Sequence, residues 1–278
     1  MDRYLRNFLG LFYGIVYGVA HIVPGLSGGT FLVIFGCYDI VCEAFALNFK
    51  TIKNNFLFFV CFGIGTIGGL VGFAHIIIFL LESFVIQTNL FFMGLILGGL
   101  PLIAKIAERE EKFKPLCIFP FAIGLALVVS LFFFERLGMF GGAAAQSNDA
   151  MFFAKIVIYA FVAAVAMVMP GISGAFVLVV FGVYDMFMDA VRVLDFTLIV
   201  PAAIGVLLGI VVGAKLVLLL LKKFELMIYS AIIGMVIGSI VPLFPYGFGI
   251  NIATFIGLVT LVLGALAAHV MGGKEAGA

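Results

Sequence analysis

The sequence contains no tryptophan, and only 10% of its 278 residues are charged. A soluble domain carries roughly 25% charged residues to cover its surface. Here 65% of residues are hydrophobic and mean hydropathy is +1.35. Too little polar surface remains for a water-facing exterior, so the main solvent must be lipid. The formal net charge is only +1, which offers no broad basic or acidic face and argues against a nucleic-acid partner. Any ion selectivity must come from a few placed groups. Cys37, Cys42, Cys61 and Cys117 lie in or beside apolar runs without a Cys-x-x-Cys spacing, the pattern of small packing residues. His21, His75 and His269 are scattered along the chain. No Ser/His/Asp set, carboxylate pair, phosphate-binding Gly-Lys loop or metal cluster can be assembled. We expect no enzyme, no metal and no cofactor.

What the chain does have is a repeat. Val16–Phe45 reads VYGVAHIVPGLSGGTFLVIFGCYDIVCEAF and Val162–Val191 reads VAAVAMVMPGISGAFVLVVFGVYDMFMDAV. With Pro24 set against Pro170, Gly25, Ser27, Gly28, Phe35, Gly36, Tyr38 and Asp39 recur as Gly171, Ser173, Gly174, Phe181, Gly182, Tyr184 and Asp185. Further on, Gly65, Gly69, Phe84, Gly94 and Gly98 match Gly205, Gly209, Phe224, Gly234 and Gly238, and Gly124 is aligned with Gly257. The expected organisation is a first repeat over residues 1–140 and a second over 148–278. The join falls near Gly141–Asp149, and the two form one transmembrane domain.

Apolar segments are expected at Phe8–Val23, Gly29–Ala46, Phe56–Leu81, Thr88–Ile106 and Leu116–Phe134. Their counterparts are Met151–Met169, Gly174–Val191, Phe196–Leu221, Met227–Leu243 and Ile250–Val270. A helix needs about 20 residues to cross a core of about 30 Å. The two segments flanking Pro24 are marginal for that and suit a re-entrant hairpin. With the N-terminus inside, Arg3, Arg6, Lys50, Lys53, Lys105, Arg109, Lys112, Lys114, Lys222, Lys223 and Lys274 are cytoplasmic; only Arg136, Lys155 and Arg192 lie outside. Eleven basic residues against three satisfy the positive-inside rule with both termini cytoplasmic. Arg3 and Arg6 ahead of an apolar run have the form of a secretory leader. The lack of a small-residue cleavage site and the recurrence of the segment argue against one. An odd number of crossings per half inverts the second copy. The expected fold is an all-α polytopic membrane protein of two inverted repeats, each a re-entrant helical hairpin plus three transmembrane helices. Interrupted segments at matching positions of inverted repeats mark the sites of secondary transporters.

The motif Pro24-Gly25-Leu26-Ser27-Gly28-Gly29-Thr30 explains how such a site is built. Proline ends the incoming helix, the glycines permit a tight turn and a close ligand, and Ser27 can cap the next helix. Amide donors at that helix start would suit an anion. The second copy, Pro170-Gly171-Ile172-Ser173-Gly174-Ala175-Phe176, lacks the second glycine and the threonine hydroxyl. The first hairpin is therefore expected to be richer in ligand groups. His75 and Lys215 lie far from segment ends at equivalent positions, and charge in lipid is costly enough to suggest function. His21, one turn before Pro24, can also face a ligand. Tyr38-Asp39 and Tyr184-Asp185 are expected to anchor at the membrane interface.

The paired stretches IVPGLSGGTFLVIFGCYD and MVMPGISGAFVLVVFGVYD resemble the two signatures of the polyprenyl-phosphate transporter family, and the likeness runs along essentially the whole chain. The resemblance implies a flippase returning undecaprenyl phosphate from the outer to the inner leaflet of a bacterial inner membrane, so that the carrier is recycled for envelope polymers. It places the signatures on Pro24, Gly25, Ser27, Gly28, Gly29 and Thr30, and on Pro170, Gly171, Ser173 and Gly174. It departs at His21, where family members often carry Asp or Asn. Inward movement of an anion against an inside-negative potential costs about 2.3 kcal/mol per charge for each ~100 mV. Lys215, His75 or a co-transported proton or other cation is expected to offset that cost, and Lys215→Ala is expected to abolish transport without unfolding the protein. The expected partners are the polyprenyl-phosphate lipid and the membrane, with homo-oligomerisation left open. A transporter or channel for a small anion is the alternative reading of the same hairpins.

Overall fold

In lipid the backbone must satisfy its own hydrogen bonds, which helices do within one segment. The computed structural model describes residues 3–23, 26–108, 114–137 and 150–273, and their regular structure is entirely helical. The chain begins with α1 (Arg3–Ala20), α2 (Gly28–Ile34), α3 (Tyr38–Phe45) and α4 (Phe49–Asn54). It continues through α5 (Phe56–Ile67), a π-helical turn (Gly68–Gly72), α6 (Ala74–Ser83), α7 (Val85–Ala107), a 3-10 turn (Pro115–Cys117) and α8 (Ile118–Arg136). Then come α9 (Ala150–Val168), α10 (Gly174–Val180), α11 (Tyr184–Arg192), α12 (Phe196–Gly238), α13 (Ile240–Leu243) and α14 (Ile252–Gly273).

Five of the described helical stretches are long and apolar enough to cross a membrane, or up to seven if each bent pair is one span. Large apolar side chains stay exposed along whole faces, such as Phe119, Ile123 and Leu127 on α8 and Ile256, Val259 and Leu263 on α14. The chain is a polytopic membrane protein.

The helix breaks modify the segments expected from sequence. Helix α12 has 43 residues, about 65 Å at 1.5 Å per residue, twice a core of about 30 Å. Its backbone leaves helical geometry at Phe224 (φ −141°, ψ 46°), dividing it into two arms. Phe84 (φ −133°, ψ 48°) makes the same break between α6 and α7. The Phe56–Leu81 segment is not one straight helix: Phe56–Gly72, which ends in the π-helical turn, and Ala74–Ser83 meet at 46° across Phe73.

Nor are the arms after the Pro-Gly turns single helices. Seven-residue α2 and α10 each end on a glycine with positive φ, Gly36 (66°) and Gly182 (69°). Cys37 N–H donates to the Leu32 carbonyl and Gly36 N–H to Val33; Val183 and Gly182 repeat this with Leu178 and Val179. These paired bonds stop a helix by satisfying its last carbonyls. The chain then turns sharply, and α10 and α11 meet at 116°.

Glycines set the helix spacing. A Cβ on Gly65 or Gly69 would strike the α1 carbonyls of Leu11 or Ile15, and one on Gly205 or Gly209 those of Val157 or Phe161 on α9. Gly94 and Gly98 abut Leu261 and Ala265 on α14, while Gly234 and Gly238 abut Phe121 and Leu125 on α8. Backbones pack this closely only where no side chain intervenes. Gly264 meets the Phe91 carbonyl as Gly124 meets that of Ala231. The structural counterpart of Gly124 is therefore Gly264, about two helical turns beyond the Gly257 that the sequence alignment suggested.

Candidate functional site at the meeting of two turns

Helix α1 ends at Ala20, and α2 begins at Gly28. Ser27 has the extended backbone of an N-cap (φ −106°, ψ 125°), yet its side chain makes no capping bond. Its hydroxyl is buried and has no hydrogen-bond partner among the described residues. Leaving a buried hydroxyl unpaired costs about 1–3 kcal/mol. Every residue of α2 is also buried, although it is too short to span anything. This short helix is held by the second hairpin.

Thr30 is only 1% exposed, and its Oγ1 accepts a hydrogen bond from the Gly171 N–H at 3.0 Å. Tyr38, on α3, donates its hydroxyl hydrogen to the Val168 carbonyl at 2.9 Å. A Cβ on Gly29 would lie 3.3 Å from the Pro170 Cα, so the missing side chain is what lets the two turns touch. Gly171 (φ 85°) takes the left-handed conformation, with Met235 of α12 where its side chain would be. The two signatures, remote in sequence, are seated one on the other.

His21 lies at the rim. Its ring sits beside Tyr17, with centroids 4.5 Å apart, and occupies the space left by Gly28. Nδ1 is 2.8 Å from the Tyr17 carbonyl. A carbonyl only accepts, so Nδ1 carries the hydrogen, and Nε2 becomes a donor only when the ring is protonated. The residue is exposed, unlike Ser27 behind it.

The second hairpin differs. Ser173 is half-buried, a Cβ on Gly174 would lie 2.9 Å from the Ala163 carbonyl oxygen, Ala175 is exposed and Phe176 half-buried. Tyr184 is only half-buried, whereas Tyr38 is buried at 2% exposure. The expectation of open amides at both turns is corrected in part: Gly171 N–H is used by Thr30, and Ser27 to Thr30 are buried in this conformation. Pro24 and Gly25 lie outside the described residues.

His75 on α6 and Lys215 on α12 are both exposed, and no hydrogen bond joins either to the hairpin turns among the described residues. Two residues before Lys215, Gly213 packs against Val165 and Val168, which lead into Pro170. Lys215 therefore sits at the depth of the second turn, on the outer surface of its helix.

Two cavities accompany these elements. One of about 280 Å³ lies between α9, α11 and α12, lined by Ile156, Phe187, Ala190, Leu198, Ala202 and Val206 among others. A second, of about 340 Å³, lies at the Phe224 break and includes Lys114, Lys222 and Lys223 in its wall.

The Tyr38 clasp went unrecognised in the sequence because Tyr followed by Asp after a Phe-Gly turn also suits an interface anchor. Its signal was present in the recurrence of the Phe-Gly-x-Tyr-Asp spacing. The basic cavity was missed because its lysines come from separate segments.

The profile of the undecaprenyl phosphate translocase-like family matches residues 17–256. A polyprenyl-phosphate transporter of Staphylococcus aureus (strain NCTC 8325 / PS 47) is 28% identical over 259 residues, covering 90% of this chain and 91% of the relative. One of Vibrio cholerae serotype O1 (strain ATCC 39315 / El Tor Inaba N16961) is 24% identical over 246 residues, covering 82% and 74%. These names are those of transporters, not of enzymes. No solved structure matches. The seated signature hairpins both fall within the matched span, and the chain belongs to the undecaprenyl phosphate translocase-like family.

Proposed function

We propose that this protein is a flippase that carries undecaprenyl phosphate, or a similar polyprenyl phosphate, from the outer to the inner leaflet of the bacterial inner membrane. The observation that carries the reading is the unpaired Ser27 hydroxyl, buried where the two signature turns meet. A polar group kept unsatisfied at a cost suits a partner that arrives later. A phosphate oxygen accepts from such a hydroxyl, and charge-assisted bonds of this kind are roughly twice as strong as neutral ones.

In this reading the halves are inverted repeats, their α1–α3 and α9–α11 hairpins are re-entrant, and both termini are cytoplasmic. The described conformation is the occluded one. The headgroup approaches past His21, Ser173 and Lys215, and the Thr30–Gly171 contact parts to admit it to Ser27, Gly28 and Gly29. Pro24 and Gly25 of the first signature, and Pro170 and Gly174 of the second, belong to the same proposed binding site. The isoprenoid tail stays in lipid, with the apolar cavity between α9, α11 and α12 holding the segment nearest the headgroup. Lys215 and His75 supply positive charge during crossing, or a proton or other cation travels with the phosphate. No prosthetic cofactor is required.

The test is reconstitution into liposomes carrying undecaprenyl phosphate in one leaflet, with leaflet exchange followed with and without a pH gradient. Protein-dependent exchange is expected, and Lys215→Ala should abolish it while the thermal transition stays in place. Exchange no faster than in protein-free liposomes defeats the reading. Competition by free phosphate equal to that by the lipid redirects it to a small anion.

A further inference from the structure

Helix α12 breaks at Phe224, and the break places Lys222 and Lys223 at the end of one arm and Glu225, Leu226 and Met227 at the start of the next. Facing them is the 3-10 turn Pro115–Cys117, preceded by Lys114. The turn is fixed to α12, because Ser230 Oγ donates to the Cys117 carbonyl at 2.7 Å. Lys223 Nζ rests 5.3 Å from the centroid of the Phe224 ring, a cation–π distance. The result is an open cavity of about 340 Å³ with Lys114, Lys222 and Lys223 in its wall. That volume falls within the range of about 300–1,000 Å³ usual for small-ligand sites.

Its charge points to a ligand class. Lys114, Lys222 and Lys223 with Glu225 leave two net positive charges. A phosphate monoester carries about −1.5 to −2 near neutral pH. Ammonium groups suit phosphate as point charges whose direction can adapt, and basic pockets between helices near a membrane surface take up lipid headgroups.

The matching break at Phe84 serves as an internal comparison. In the register that pairs Phe84 with Phe224, Lys222 and Lys223 correspond to Glu82 and Ser83, and Lys114 corresponds to Thr254. The same backbone break is thus cationic at one site and anionic or neutral at the other.

We infer that the Lys114–Lys222–Lys223 cavity is a second phosphate-monoester site, which receives the headgroup at the end of its passage and holds it at the inner face. The inference rests on the transport reading for its direction, but the binding chemistry stands by itself. Positive charge on that side also directs membrane insertion, so the test must read occupancy directly. Purified wild-type protein in nanodiscs is acylated with a lysine reagent in the presence of undecaprenyl phosphate, undecaprenol or inorganic phosphate, and each lysine is followed by mass spectrometry.

At a lipid-phosphate concentration ten times half-saturation, acylation of all three lysines should slow roughly tenfold, in line with the unoccupied fraction. Undecaprenol should give no protection, and the exposed Lys50 and Lys53 of α4 should react at unchanged rates. Protection by inorganic phosphate at equal concentration keeps the phosphate site and assigns it to the free anion; protection by the lipid alone assigns it to the headgroup. In the double variant K222Q/K223Q the protection of Lys114 should disappear, and in K222R/K223R it should persist. Equal acylation with and without every phosphate ligand overturns the inference, as does equal protection by undecaprenol. Leaflet exchange measured on the same preparation separates the two ideas: exchange with unprotected lysines removes only this site, whereas protected lysines without exchange remove only the transport reading.

Discussion

The two hairpins share a backbone plan but not a chemical surrounding. In the first, Ser27, Gly29 and Thr30 are buried, and Thr30 and Tyr38 reach across to bond the second at Gly171 and Val168. In the second, Ala175 is exposed and Phe176 and Tyr184 are half-buried. The difference teaches that the two copies share a backbone frame, while Gly29 and Thr30, standing where the second copy has Ala175 and Phe176, let the first be buried against the second. In the proposed transport cycle the second hairpin would act as a lid over the first as core, the two joined among the described residues by the Thr30–Gly171 and Tyr38–Val168 hydrogen bonds.

Exchanging residues between the copies tests this most severely. Thr30→Phe removes the acceptor for Gly171 N–H and forces a ring into a site with 1% exposure. Overpacking costs about 1–3 kcal/mol and an orphaned buried donor about 1–3 more. Thermal unfolding in detergent should therefore show a loss of roughly 4 kcal/mol. The reciprocal Phe176→Thr, at a half-buried position, should cost under about 1.5 kcal/mol. Equal losses would erase the distinction between core and lid.

The serines come next. Ser27→Ala removes a buried hydroxyl that has no partner in the described conformation, so stability should stay level or rise by about 1 kcal/mol. If that hydroxyl meets phosphate during transport, exchange should fall roughly 10- to 100-fold, the equivalent of about 1.5–3 kcal/mol for a bond to a charged group. Ser173→Ala, at a half-buried site, should lower exchange only a few-fold. A Ser27→Ala protein that is less stable but fully active would show that the hydroxyl serves only the fold. Smaller again is the tyrosine pair. Tyr38→Phe leaves the Val168 carbonyl without its donor and should cost about 1 kcal/mol, while Tyr184→Phe should be neutral in the same unfolding measurement.

How much of this was legible in the sequence depends on distance along the chain. Pro-Gly-x-Ser-Gly at two places located both turns, because proline and glycine act on their own backbone. Low charge and long apolar runs identified the membrane class for the same reason. What could not be read was which groups meet across the halves. Thr30 was noticed as a hydroxyl missing from the second copy, but its partner, a backbone amide at Gly171, leaves no trace in residue types. The broken arms escaped because Gly36 and Gly182 sit inside runs whose apolar character continues on both sides, so hydropathy sees one segment where φ sees two. Register set Lys215 beside His75 as equivalents, but register alone does not reveal that both side chains are exposed.

The smallest effect asks whether the shared frame is truly shared. Leu47 (φ 62°) and Leu194 (φ 55°) end α3 and α11 in the left-handed conformation, which a leucine adopts at a cost. Each is followed by the same return bond, Asn48 N–H to Glu43 and Asp195 N–H to Ala190. Asn48 and Asp195 then cap the next helix by accepting from Thr51 and Thr197. The left-handed state costs a non-glycine residue about 1–2 kcal/mol, and glycine's extra freedom when unfolded takes back roughly 0.5–1. Both leucines are exposed, so little burial is lost on replacement. Leu47→Gly and Leu194→Gly should each raise unfolding stability by about 0.5 kcal/mol, and by equal amounts. Equality here beside inequality at Thr30 and Phe176 would separate the inherited scaffold from the acquired site. A gain at one leucine and a loss at the other would mean that the two hairpins differ in their backbones as well as in the side chains they carry.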